Sequence, residues 1–224
     1  MISGDLSVGK PSTEDGGMTT DYSQITKNLD KEMRQMIAEY QKLKQNDDRK
    51  VDLLLQRIRI KHPIFHMTTN SAFKFLMEQS ALFKLKPGQT VYKEFALAKA
   101  NVYLVLYGEF ELTSSKVQGR LGEVMGVGWT LGEEILYSED NNAQIMRLEK
   151  CEAITDACVL TLKVQDLINM AEKKAATGGG GTLKPDYQIL LSFLEKNFDR
   201  KTQWRHDHGI LDAQIKETSD SENK

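Results

Sequence analysis

Gly128-Trp129-Thr130-Leu131-Gly132-Glu133, with Arg147 further on, sets a glycine turn, a carboxylate and a guanidinium in a stretch that otherwise alternates like β-strands. A glutamate can accept a hydrogen bond from a ribose hydroxyl. An arginine can hold a phosphate through its planar, bidentate fork. Other chemistries are poorly supplied. The histidines are His62, His66, His206 and His208, and none lies in a strand-like run. A metal-dependent enzyme on a β-barrel needs clustered imidazoles on inward-facing strands, and Ser-His-Asp or Cys-His catalysis fails for the same reason. No catalytic residue, metal site or resident cofactor is expected, and the chain reads as a non-enzyme.

The elements that must position these groups follow from pattern. The chain has 224 residues and a formal net charge of -2, so no global basic field favours nucleic acid. Residues 1–20 are rich in Gly, Ser, Thr and acids and read as disordered. A helical arm, 21–61, follows. Ile25, Leu29, Met33, Met36, Ile37, Tyr40 and Leu43 mark one helical face, Gln45 to Asp48 interrupts it, and Val51, Leu54, Leu55 and Ile58 resume it. Between Thr26 and Lys61 there are ten Lys/Arg and six Asp/Glu. That excess is either a solvated helix face or a docking surface for an acidic partner.

His62-Pro63 should end the helix, since proline disfavours a helical residue before it. A short helix is predicted from Ser71 to Ser80. Ala81–Leu85, Thr90–Tyr92, Val102–Leu106, Phe110–Thr113 and Ala153–Leu162 then read as strands, punctuated by Pro87-Gly88, Gly108, Gly119, Gly122, Gly126 and Gly128. The helical period returns at Leu167, Ile168 and Met170. Gly178 to Gly181 reads as a flexible loop, without the order of a phosphate-cradling P-loop. Tyr187 to Trp204 is predicted as an amphipathic helix, with Ile189, Leu190, Phe193, Leu194 and Phe198 on one side. Residues 205–224 read as a loose acidic tail. Cys151 and Cys158 are too few for a disulfide framework and would face opposite ways if they shared one strand. No apolar run approaches the roughly 18 residues of a membrane span. These features predict a cytoplasmic protein, alone or within a cytoskeletal or other large assembly.

The order of helices, β-roll and helices over 62–204 resembles the cyclic nucleotide-binding domain family. Pro63-Ile64-Phe65 is similar to its entry turn. Leu85-Lys86-Pro87-Gly88-Gln89-Thr90-Val91-Tyr92 is similar to its Lys-Pro-Gly-Glu turn. Tyr103 to Leu112 resembles its central hairpin, Gly128 to Glu133 the start of its phosphate-binding cassette, and Thr155 to Leu160 the strand after it. The resemblance implies a mainly β fold, a β-roll or jelly-roll barrel with flanking helices. It implies that cAMP or cGMP could bind at Gly132, Glu133, Ile135, Leu136 and Arg147, with the helix from Tyr187 closing as a lid and Phe193, Phe198 or Trp204 near the base. Leu148-Glu149 lacks the hydroxyl on which guanine preference leans, which favours adenine.

Departures from the pattern are specific. Arg147 follows Gly132 by 15 positions, and Tyr137 to Met146 reads as an inserted polar loop. Glu134 and Glu149 bring carboxylates that would oppose a phosphodiester, and Lys150 could stand in for the arginine only in a shifted register. Two functions therefore remain open. One is a cyclic nucleotide sensor that signals through helix movement to a partner protein. The other is a ligand-free form of the fold, used as an interaction subunit through the N-terminal helix.

Overall fold

The computed structural model describes residues 22–43, 48–117, 122–136, 145–172 and 182–210. The N-terminal stretch to 20, the glycine run at 178–181, most of the polar insertion and the tail beyond 210 lie outside the described residues. Two helices come first, α1 (Tyr22–Leu43) and α2 (Asp48–Lys61). They pack on each other through Met33, Met36, Ile37 and Tyr40 of α1 and Leu54, Leu55 and Ile58 of α2, the faces that the 3.6-residue period marks. A 3₁₀ turn at Phe65–Met67 leads to α3 (Asn70–Gln79). The Thr69 hydroxyl caps α3 by accepting from the Ala72 amide at 3.2 Å.

Eight strands follow: β1 (Ala81–Leu85), β2 (Thr90–Tyr92), β3 (Asn101–Tyr107), β4 (Phe110–Thr113), β5 (Glu123–Met125), β6 (Thr130–Leu131), β7 (Lys150–Ala153) and β8 (Ala157–Lys163). They form two four-stranded antiparallel sheets, ordered β1-β8-β3-β6 and β2-β7-β4-β5. α4 (Val164–Glu172) and α5 (Lys184–Asp207) complete the chain. Two antiparallel sheets with flanking helices are the β-roll type of architecture that the sequence led us to expect, although the helices hold more of the described residues than the strands do. The run Ala153–Leu162 is not one strand. It breaks at Ile154–Asp156, so that β7 and β8 enter different sheets. Cys151 and Cys158 consequently sit on different strands, both buried and both free. β5 and β6 carried too few residues for any alternation to register. Among the described residues, no helix is long and apolar enough to cross a membrane.

Period-two alternation divides the interior. Val102, Leu104 and Leu106 of β3 and Cys158, Leu160 and Leu162 of β8 face the helices. Val105 of β3 and Ala157 and Val159 of β8 face the second sheet, with Phe110, Leu112, Met125 and Leu131. α1 is fastened to this body rather than free of it. Asp30 accepts from the Gly108 amide, and Arg34 donates to the Asp156 carbonyl at 2.7 Å and lies 4.9 Å from the Tyr107 ring centre. Gly108 has φ +86°, and a Cβ there would stand 2.4 Å from that of Ala157, so only glycine fits the turn.

His62 closes the junction between helices and sheet. It is fully buried, its Nε2 lies 3.0 Å from the Val105 carbonyl, and Nδ1 accepts from the Ile64 amide at 3.2 Å. Nδ1 is therefore the acceptor and Nε2 carries the proton, a neutral ring. Burial pushes its pKa down to about 4, against the pull of the Val105 carbonyl. The folded state then refuses a proton that the unfolded state takes near pH 6.5. Stability from this residue is complete above pH 6.5 and is lost as the pH falls toward 4. Denaturant unfolding should show wild type losing about 3 kcal/mol relative to His62→Gln between pH 7 and pH 4. A constant difference between the two proteins would remove His62 as the cause.

Candidate functional site

The cassette predicted from sequence runs from the turn before β6 to the start of β7. Gly128 takes φ +88° beside Pro63, and its neighbour Trp129 sends its carbonyl to the Val105 amide at 2.9 Å. β6 pairs with β3 through Thr130 and Leu131, which drives the chain into the interior. Gly132, at φ +81°, then turns it into a 3₁₀ helix, Glu133–Leu136. A Cβ at Gly132 would lie 3.1 Å from both terminal nitrogens of Arg147, so the glycine makes room for the guanidinium.

Arg147 does point inward. It is 2% exposed, and its guanidinium carbon lies 4.6 Å from the Tyr92 ring centre. It is held by backbone as well: its amide donates to Ala96 at 2.9 Å, and its carbonyl accepts from Phe95 at 2.8 Å. Glu133 is 0% exposed. The structure therefore brings Gly132, Glu133 and Arg147 together. Ile135 and Leu136 lie on the same 3₁₀ turn, partly buried against the helix-facing core. Their segment is four residues of 3₁₀ rather than the opening of an α-helix.

The two charged groups are already engaged. Arg147 Nη1 forms an ion pair with Glu134 Oε1, a direct contact in a nearly dry setting. Glu133 Oε1 is in ion-pair contact with Nζ of Lys201, which arrives from α5 and also donates to the Thr130 carbonyl at 3.2 Å. A third pair lies alongside. Arg205, one turn further along α5, grips Glu149 with Nε to Oε2 at 3.1 Å and Nη2 to Oε1 at 2.6 Å. The Lys201 and Arg205 pairs are buried, and the Arg147 pair is nearly so, with 10% of the Glu134 side chain exposed.

Electrostatics follow from this crowding. Burial works to raise the Glu134 carboxyl, but Lys201, Arg147 and Arg205 together hold it below its usual range. For Glu133 burial wins: its pKa is raised despite Lys201, and the neighbouring Glu134 adds to the rise. Burial opposes the charge on Arg205, yet Glu149 holds its pKa above the usual value. Tyr92 OH, Thr130 Oγ1, Glu133 Oε2 and Glu134 Oε2 are buried without a directed partner among the described residues. The site is thus a polar cluster beside the apolar core between the sheets, and its three cations pair one against one with three carboxylates.

Two partners escaped sequence reasoning. The pattern from Tyr187 to Trp204 marks Lys201 only as the polar end of an amphipathic helix, and Arg205 falls in the acidic tail that the composition predicts. Yet Asp186, Leu190, Leu194, Asn197, Lys201 and Arg205 form one continuous buried stripe at steps of three and four. The periodicity that marks Leu190 and Leu194 continues through the charged residues, and that was the available signal. Ile189 and Phe193 are half-buried beside the stripe. Lys150 does not replace Arg147: it pairs with Glu152 at 2.5 Å, partly exposed.

No protein-family model matches the chain, and no curated protein matches it. Solved structures do. A putative cyclic nucleotide-binding protein from Geobacter metallireducens aligns at 19% identity over 64% of this chain and 93% of its own, with a TM-score of 0.46. A cyclic nucleotide-binding domain from Methylobacillus flagellatus aligns at 16% identity over 69% and 83%, TM-score 0.47. The catabolite activator protein of Thermus thermophilus aligns at 18% identity over 70% of this chain and 63% of its own, TM-score 0.46. The chain is similar in fold to cyclic nucleotide-binding proteins.

The three ion pairs generate a test. Lys201→Met leaves Glu133 buried without its cation and should destabilise the protein by about 3–5 kcal/mol at pH 7. The deficit should shrink at pH 5, where the stranded carboxyl takes a proton more cheaply. Adding Glu133→Gln should recover most of the loss, as a double-mutant cycle in urea would reveal. Additive effects of the two substitutions would mean that the pair does not interact.

Proposed function

We propose that this protein is a regulatory, cyclic nucleotide-binding-like module in which the chain's own side chains take the place of the nucleotide, leaving the fold to act as a non-catalytic interaction subunit. The single observation that carries this reading is the Glu134 carboxylate seated on Arg147. A cyclic phosphodiester needs that guanidinium and brings one negative charge. To reach it, the ligand must displace Glu134 and leave a buried carboxylate unpaired, at about 3–5 kcal/mol. A micromolar nucleotide site is worth only about 8 kcal/mol. The displacement alone would weaken such a site to roughly the millimolar range.

α5 supports the same reading. A lid must leave and return at modest cost. This helix holds Glu133 and Glu149 through Lys201 and Arg205, sends Asn197 Nδ2 to the Gly128 carbonyl at 3.5 Å, and lays Arg200 4.1 Å from the Trp129 ring centre. Swinging it away strands two carboxylates at once. The sensor reading keeps one point in its favour, the inward direction of Arg147 beside Gly132.

Isothermal titration of the full chain with cAMP and with cGMP should give no saturable heat up to millimolar ligand. Thermal scans should show no stabilisation; a 10 µM site at 1 mM ligand would add about 2.7 kcal/mol. Saturable micromolar binding of either nucleotide, abolished by Arg147→Ala, would overturn the proposal in favour of a sensor.

A further inference from the structure

Among the described side chains of α1 and α2, two large apolar ones lie exposed. Leu53 is 64% exposed and Ile60 is 55% exposed. They lie seven residues apart, so they share one face of α2. Arg49 and Arg57 stand on that face too, four residues before Leu53 and four after it. The outward ridge therefore reads cation, aliphatic, cation, aliphatic at steps of four, four and three. Among the described residues, neither Arg49 nor Arg57 has a hydrogen-bond or ion-pair partner.

A groove flanks the ridge on each side. One, of about 400 Å³, lies against α3 and takes in Leu53 and Gln56 with Phe73 and Phe75. The other, of about 450 Å³, lies against α1 and takes in Arg57 and Ile60 with Met36. The nearby acids are mostly spent internally. Asp52 accepts from Lys74 at 2.7 Å, and Glu32 pairs with Lys61 at 2.9 Å. Glu78 and Glu39, one in each groove, and Asp48 in the first turn of α2 remain, off the crest of the ridge. The crest itself carries unspent positive charge between apolar side chains.

From this we infer that the α2 ridge is the docking surface of the module, and that its partner is an acidic amphipathic helix of another protein. Apolar side chains of that helix would enter the two grooves beside Leu53 and Ile60, and its carboxylates would meet Arg49 and Arg57 on the crest. The inference rests on the reading of the chain as an interaction subunit, and it names the partner class. Charge decides the occupant. A basic helix would face two unneutralised guanidiniums, and a second copy would place Arg49 and Arg57 against their own kind.

The test uses the full chain and two synthetic helical peptides. Both carry leucine at the a and d heptad positions; one has glutamate and the other lysine at the flanking e and g positions. By fluorescence anisotropy at low salt, the glutamate peptide should bind at least tenfold tighter than the lysine peptide, and salt should weaken it. Arg49→Glu/Arg57→Glu should reverse the preference. Leu53→Ser/Ile60→Ser should weaken the glutamate peptide at least tenfold. Because all four side chains are exposed, the unfolding midpoints should stay at the wild-type value, which separates lost binding from lost fold. Equal binding of both peptides, binding untouched by these variants, or no binding would overturn the inference. So would self-association in sedimentation that Leu53→Ser abolishes, since the occupant would then be a second copy. Nucleotide titration is scored separately: a peptide that binds a nucleotide-binding protein would refute the ligand-free reading and leave the ridge intact.

Discussion

Three buried ion pairs, Glu133 with Lys201, Glu134 with Arg147 and Glu149 with Arg205, decide how this molecule can behave. Carboxylates and cations withdrawn from water lose several kcal/mol of hydration each, and only close opposite charge repays it. Each group is thereby fixed to its partner. Such pairs add little net stability over a well-packed apolar core, but they make separation expensive. Among the described residues of the cassette and α5, Arg147, Lys201 and Arg205 each already meet a carboxylate.

This constraint ties the cassette to the end of the chain. α5 begins by presenting Asp186 to the N-terminus of α3, where it accepts from the Thr69 amide at 2.6 Å. It continues along the sheet with Leu190 and Leu194, and it ends among the charges with Lys201 and Arg205. The helix is anchored at both ends by polar contacts and in the middle by apolar ones. Glu133, just after β6, and Glu149, just before β7, are thereby both tied to α5. The α1–α2 pair is fastened independently, through Asp30 and Arg34 on the β3–β4 turn and through Met36, Ile37, Leu54 and Ile58 in the shared core. The outward ridge of α2 stays exposed, at Leu53 and Ile60.

Much of the fold was legible because its signals are local. The apolar stripes of α1, α2 and α3 register as a 3.6-residue period, and Ala81–Leu85, Thr90–Tyr92 and Phe110–Thr113 stand where runs of apolar, β-branched and aromatic residues between turn signals put them. The break between β7 and β8 was hidden because Ile154 continues an apolar run through a turn. β5 and β6 were hidden because three and two residues cannot display a period. At the site, Gly132, Glu133 and Arg147 could be named from types and order, and Arg147 faces the interior as that naming required. Glu134 and Glu149 could be seen as intruding charges, but not as charges with partners.

The sequence by itself determined the helices, several of the strands and the glycine turns, and it supplied the arginine at 147 without its direction. These depend on neighbours a few positions away, whose spacing is written in the chain. Tertiary structure alone decided which charge meets which. Lys201 lies 68 positions from Glu133 and Arg205 lies 56 from Glu149, and no local rule couples residues at such separations. Whether a buried arginine is an open binding group or a spent one depends on that pairing, because Coulomb attraction acts across space while periodicity acts along the chain.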